Sequence, residues 1–265
     1  MVKQFCIVIL AAVLVLLTPL NGHAYSNEKH DWFFKRSKDH QPATTEPEFM
    51  ELLKKYNGFY IGDTSGKNLY LTFDNGYENG YTKQILDVLN EKNVPATFFV
   101  TGHYLNDQAE LVKRMVKEGH IVGNHSWKHP DLTSVSNSRL KEELTKVEEE
   151  YQKLTGHNDM VFLRPPRGVF SERTLALSEK EGYINVFWSL AYKDWVTNEQ
   201  KGEDYAYRNI MKQIHPGAIL LLHTVSKDNA EALGRVIDDL RKQGYTFKSL
   251  NSLVANEHLI GHNHQ

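Results

Sequence analysis

His125 and His129, four apart in Asn-His-Ser-Trp-Lys-His-Pro, are the first residues in this chain whose types and spacing suggest chemistry. On one helical turn that spacing stacks two imidazoles and suits a divalent cation. A catalytic metal usually takes a third protein donor and leaves a position for water. Asp74 or Asn75, in Thr-Phe-Asp-Asn-Gly, can supply that oxygen. Further polar groups follow at Arg164, at Asp194-Trp195 and at His223, which comes directly after Leu221-Leu222. Taken singly, an aspartate after a strand caps a turn, a histidine satisfies a polar contact and an arginine makes a surface pair. Together, a cation, a carboxylate and an imidazole are the parts of a water-activating site.

The elements that must position these residues are legible as a repeat. From Asn68 onward, short β-branched and aromatic runs alternate with amphipathic segments. The runs predict seven strands, over 69–73, 96–100, 120–123, 161–163, 184–189, 218–222 and 246–250, most of them continuously apolar as strands covered on both faces are. Between them, Asp107 with Glu110 predicts a capping box ahead of Leu111, and Gly119 predicts the left-handed stop. Leu140, Leu144, Val147, Tyr151 and Leu154 recur at helical spacing, while Glu142, Glu143, Glu148, Glu149 and Glu150 read as a solvated face. Further helices start near Ser171 and Asn229. The expected fold is α/β, a distorted seven-stranded (β/α) barrel in one unit over residues 68–250. Every polar residue singled out above follows a strand, and in a closed parallel barrel those carboxyl ends share one face.

Composition narrows the function. With 31 Lys+Arg against 33 Asp+Glu the net charge is −2, so a nucleic-acid partner is not expected. At the amino end, Lys3, an apolar run from Phe5 to Leu17, Pro19 and Gly22-His23-Ala24 read as an export signal over residues 1–24. The run is shorter than the roughly 20 residues needed to cross a bilayer, so no membrane span is expected after cleavage. The single cysteine, Cys6, lies in this segment, which leaves the mature chain without thiol chemistry or cysteine-bound zinc. Residues 25–67 read as an irregular arm with one helix near 47–56. Residues 251–265 read as a C-terminal tail whose His258, His262 and His264 belong to a flexible end rather than a metal site.

The runs Thr72-Phe73-Asp74-Asn75-Gly76, His125-Ser126-Trp127-Lys128-His129, Arg164-Pro165-Pro166-Arg167-Gly168, Asp194-Trp195 and Leu221-Leu222-His223 resemble, in order, the five motifs of the polysaccharide deacetylases, carbohydrate esterase family 4, with the NodB-like barrel. Phe34-Lys35-Arg36, His40-Gln41-Pro42, Tyr70 to Tyr81, Arg164 to Ser171 and His223 to Ala232 are most similar to the branch that precedes muramic δ-lactam formation in spore formers. The resemblance implies that Asp74 is the general base, kept ionised by Arg164, and that His223 protonates the departing amine while Asp194 orients it. It implies a divalent cation held by His125, His129 and Asn75, zinc foremost, with manganese, magnesium or cobalt as alternatives. It places the backbone N–H of Arg167 at the oxyanion and makes Trp195 and Leu221 walls of the acetyl pocket.

Two departures from the family pattern matter. Asn75 stands where most members carry aspartate, and a neutral amide should hold a cation more weakly. Arg167 stands where many carry tyrosine; its planar fork suits a free lactyl carboxylate, or it caps a loop or pairs with a nearby acid. The implied substrate is N-acetylmuramic acid in exported, spore-cortex peptidoglycan whose stem peptide an amidase has removed. The alternatives are an N-acetylglucosamine deacetylase of peptidoglycan or chitin-type glycan, a non-catalytic glycan-binding barrel, and a metal-dependent hydrolase of other amides or esters.

Overall fold

The computed structural model describes residues 25–262; the segment read as an export signal, with Cys6, and the terminal His264 lie outside the described residues. A two-residue strand, β1 (His30–Asp31), and the helix expected near 47–56, α1 (Pro47–Lys55), lead into the barrel. Its first half runs β2 (Asn68–Asn75), α2 (Thr82–Lys92), β3 (Ala96–Val100), α3 (Gly102–Asp107), α4 (Ala109–Lys117), β4 (Ile121–Asn124) and α5 (Asn137–Thr155). There follow β5 (Phe162–Leu163), β6 (Val169–Phe170), α6 (Glu172–Lys180), β7 (Ile184–Asn185) and β8 (Leu190–Ala191). The chain ends with α7 (Glu203–Met211), β9 (Ile219–His223), α8 (Lys227–Lys242), β10 (Thr246–Phe247) and α9 (Leu250–His262). No helix among the described residues is long and apolar enough to cross a membrane.

The barrel strands are all parallel, in the order β7-β5-β4-β3-β2-β9-β8, with β10 beside the start of β2. Only the start of the run expected as one strand over 184–189 is a strand, β7, and β8 follows directly after that run. Its first part, β7, pairs with β5, and its continuation, β8, pairs with β9 at the opposite edge. One stretch of chain therefore joins both edges, which makes the barrel distorted and, counted by runs, seven-stranded.

Strand periodicity sorts the side chains of β2 into two rows. Leu69, Leu71 and Phe73 pack in the core between sheet and helices, with Ile85, Leu86 and Leu233. Tyr70 packs inside the barrel with Phe99, Phe162, Val186 and Ile219. Leu253 of α9 joins that interior cluster, so the tail read as a flexible end begins as a helix anchored in the barrel.

The local signals had mixed outcomes. Ser171 caps α6 in a reciprocal capping box with Thr174, and Gly119 ends α4 with φ +80°. No capping box forms at Asp107, which is the last residue of α3; Gln108 turns the chain and α4 starts without a side-chain cap. Ser226 caps α8, which starts at Lys227, near the start expected at Asn229. Glu143, read as part of a solvated face, is fully buried.

Candidate active site

Parallel pairing sets Asp74, at the end of β2, opposite His223, at the end of β9. Asp74 continues the barrel-facing row of Tyr70 and Thr72. One carboxylate oxygen accepts a hydrogen bond from Arg164 Nη1 at 2.8 Å, and the other lies 3.4 Å from His125 Nε2. Arg164 is itself fully buried: Nε donates to the Val186 carbonyl at 3.1 Å, and the guanidinium lies 4.2 Å from the centre of the Phe99 ring. Burial works against an ionised Asp74, but the charge of Arg164, with His125 and His223, outweighs it and holds the carboxyl below the usual range.

His125 and His129 meet, though not on a helix. They occupy the loop after β4, where Ser126 (φ 65°) and His129 (φ 56°) are left-handed and fold the chain back on itself. Ring centres are 4.8 Å apart. The loop is pinned by Ser126 N–H donating to Asn124 Oδ1 at 2.8 Å, His129 N–H to Ser126 Oγ at 2.9 Å, and Lys128 N–H to Glu143 Oε2 at 2.7 Å. The Arg164 carbonyl can only accept, so its 2.9 Å contact puts the proton on His125 Nδ1 and leaves Nε2 a lone pair facing Asp74. Burial pushes both imidazole pKa values down, that of His129 to about 4, so both are neutral near pH 7, as metal ligands must be.

Asn75, the residue after Asp74, is fully buried. Its amide nitrogen donates to Thr224 Oγ1 at 2.8 Å. Its buried Oδ1 has no hydrogen-bond partner. Two neutral imidazoles and the unpartnered Asn75 Oδ1 are donors of the kind a divalent cation takes, although no three His, Cys, Asp or Glu side chains among the described residues are grouped to hold one by themselves.

Asp194 and His223 form a second constellation. Asp194 Oδ1 lies 2.7 Å from His223 Nδ1, and Oδ2 accepts the His223 backbone N–H at 2.8 Å. Asn229 Nδ2 donates to the same Oδ2 at 2.5 Å, and the Tyr192 hydroxyl donates to Asn229 Oδ1. Burial alone would lower the His223 pKa; Asp194, and after it Asp74, more than offset this and raise it. Nδ1 is engaged with Asp194, so Nε2 is the ring nitrogen left for the cleft.

The cleft has two lobes that share Asp74, His125, His129, Trp195 and His223. One, of about 430 Å³, is completed by Arg167, Trp188 and Leu221; the other, of about 580 Å³, by Tyr77, His103, Trp127 and Lys128 among others. Trp195 is half exposed, its ring 5.5 Å from that of His223. Arg167 is exposed at the mouth and makes no hydrogen bond or ion pair among the described residues, so neither a loop cap nor an acidic partner accounts for it. Glu143, Asn229 and Trp188 are among the residues of this site that escaped sequence reasoning. Glu143 sat in an acidic run, Asn229 read as a helix start and Trp188 as strand, and no spacing marked them.

The sequence pattern of the polysaccharide deacetylases matches residues 61–186. Peptidoglycan-N-acetylmuramic acid deacetylase PdaA of Bacillus subtilis is 54% identical over 252 residues, covering 95% of this chain and 96% of that protein. The solved structure of B. subtilis PdaA, a family 4 carbohydrate esterase, superposes with a TM-score of 0.86 at 56% identity, over 88% of this chain and 99% of that one. A peptidoglycan-N-acetylglucosamine deacetylase of Bacillus cereus is 31% identical over 205 residues, 76% of this chain and 73% of that protein.

Proposed function

Since the chain belongs to the polysaccharide deacetylase family, we propose that it hydrolyses the N-acetyl group of N-acetylmuramic acid residues in peptidoglycan. The observation that carries the reading is one cleft holding a carboxylate paired with Arg164, an imidazole whose pKa Asp194 raises and a paired set of neutral histidines, with Arg167 unengaged at its mouth.

In this reading Asp74 takes a proton from water as the water oxygen bonds to the acetyl carbon. The backbone N–H of Arg167 faces the oxygen that gains charge. His223 then gives its proton to the amide nitrogen as the carbon–nitrogen bond breaks, leaving acetate and a free amine. Asp194 keeps His223 in the tautomer and orientation this needs, and Trp195 and Leu221 wall the acetyl methyl. Family 4 deacetylases are generally metal-dependent. His125, His129 and Asn75, beside Asp74, would hold a divalent cation, zinc foremost, which when bound supplies Lewis acidity and water activation. Arg167 binds the lactyl carboxylate, which is free only after an amidase has cut the stem peptide.

The finer context belongs to the same proposal. Residues 1–24 direct export, 25–67 form an arm, 68–250 the catalytic barrel and 251–265 the tail, and the freed amine goes on to muramic δ-lactam in spore cortex. The test is acetate release from amidase-treated peptidoglycan, with and without chelator, by the native protein and by Asp74→Ala. Release that needs both the metal and Asp74, and that falls on untreated peptidoglycan, is expected. Equal release from glycan that retains its stem peptides would overturn the muramic assignment.

A further inference from the structure

Arg167 (φ 58°) and Gly168 (φ +70°) are consecutive left-handed residues, and such a backbone persists at a non-glycine position only where its surroundings hold it. Those surroundings come from the arm. Directly after the turn, β6 pairs antiparallel with β1, in the register His30↔Phe170 and Asp31↔Val169. Trp32 N–H then donates to the Gly168 carbonyl at 2.9 Å. A Cβ on Gly168 would lie 2.7 Å from the Trp188 ring and 2.9 Å from Trp32 Cβ, so the turn is pressed between the two tryptophans.

Trp32 also reaches the other wall of the lobe. Its indole Nε1 donates to the Trp188 carbonyl at 3.0 Å, and its ring centre is 4.6 Å from that of Phe187. Trp188 and Arg167 both line the lobe that contains Asp74 and His223. Trp32 is thus tied to both walls, although it is not itself among the lining residues of that lobe.

We propose that Trp32 is a positioning residue for substrate choice: the arm, through Trp32, locks the Arg167 turn against the Trp188 wall and so sets how well the site takes a glycan bearing a free lactyl carboxylate. This rests on the carboxylate reading of Arg167 above. The arm is then a working part of the cleft rather than a leader to the barrel.

Trp32→Phe keeps an aromatic ring among Phe49, Phe170 and Phe187 and removes the indole donor. The probes are amidase-treated muramic glycan and the same glycan with its lactyl carboxyls converted to methyl esters. On the carboxylate glycan, Trp32→Phe should lower kcat/KM about tenfold, mainly through KM, below the roughly hundredfold that an ångström of misplacement can cost. On the ester it should change little, and added to Arg167→Ala it should cost nothing further. Equal loss on both glycans, an undiminished loss in the Arg167→Ala background, or no loss would overturn the proposal while leaving the carboxylate reading in place. If Arg167→Ala by itself leaves the acid-to-ester ratio unchanged, the carboxylate reading falls and takes this proposal with it. Trp32→Tyr, which also lacks the indole N–H, replaces the phenylalanine variant should that fail to fold.

Discussion

Asp194 grips His223 at two points, one carboxylate oxygen on the ring Nδ1 at 2.7 Å and the other on the backbone N–H at 2.8 Å. Two attachments fix both the direction of the ring and the place of its strand end, so His223 has little freedom except to exchange a proton at Nε2. The same carboxylate raises the His223 pKa against the pull of burial.

Asp194→Asn should therefore act on both rate and pH dependence. In the proposed mechanism His223 is the acid, so the active form is protonated and activity falls as pH rises through its pKa. Removing the carboxylate lowers that pKa, and the alkaline limb of the pH–rate profile should move to lower pH. The rate below that limb should drop about 10²-fold or more, as loss of positioned proton transfer does. An alkaline limb that stays in place would show that some other group sets it.

Arg164 and Asp74 are both buried, and removing one partner of such a pair leaves an uncompensated charge. Arg164→Met should destabilise the fold by about 3–5 kcal/mol, measured by urea unfolding at pH 7. The folded-state pKa of Asp74 is depressed, so the stabilisation it brings is present above the unfolded carboxyl pKa and is lost as pH falls through the folded value. Without Arg164 the carboxyl pKa rises, and the acid limb of the pH–rate profile should move to higher pH. Chevron or equilibrium data showing no pH-dependent difference between the two proteins would contradict this pairing.

Glu143 pins the histidine loop through Lys128 N–H without facing the cleft. Groups that orient ligands in this way typically contribute tenfold to a hundredfold in metal affinity. Zinc titration by calorimetry should show a loss of that order for Glu143→Gln and loss of measurable binding for His125→Ala. Asn75→Asp, which replaces a neutral amide by a carboxylate, should tighten zinc binding, and equal affinities would count against residue 75 as a ligand.

Leu253 is 2% exposed inside the barrel although it lies in the tail. Leu253→Ala should cost about 2–5 kcal/mol by thermal or urea unfolding, the range for opening a cavity in a packed core. A change within the error of the measurement would mean that α9 does not plug the barrel.

Patterns local to the chain settled a good deal by themselves. Apolar runs at the strand period, alternating with amphipathic segments, determined an α/β barrel and put Asp74, His125, Arg164, Asp194 and His223 at carboxyl strand ends, because periodicity and strand direction are properties of a short stretch of residues. The motif order determined the family. What only the tertiary structure decided depends on partners distant in sequence. The Asp74–Arg164 pair spans 90 residues and the Asn229–Asp194 bond 35, and no local pattern encodes which donors will meet. Glu143 looks like any other acid on α5 until the loop carrying Lys128 folds over it. His125 and His129 meet through two left-handed residues rather than a helical turn, a backbone choice that composition does not announce.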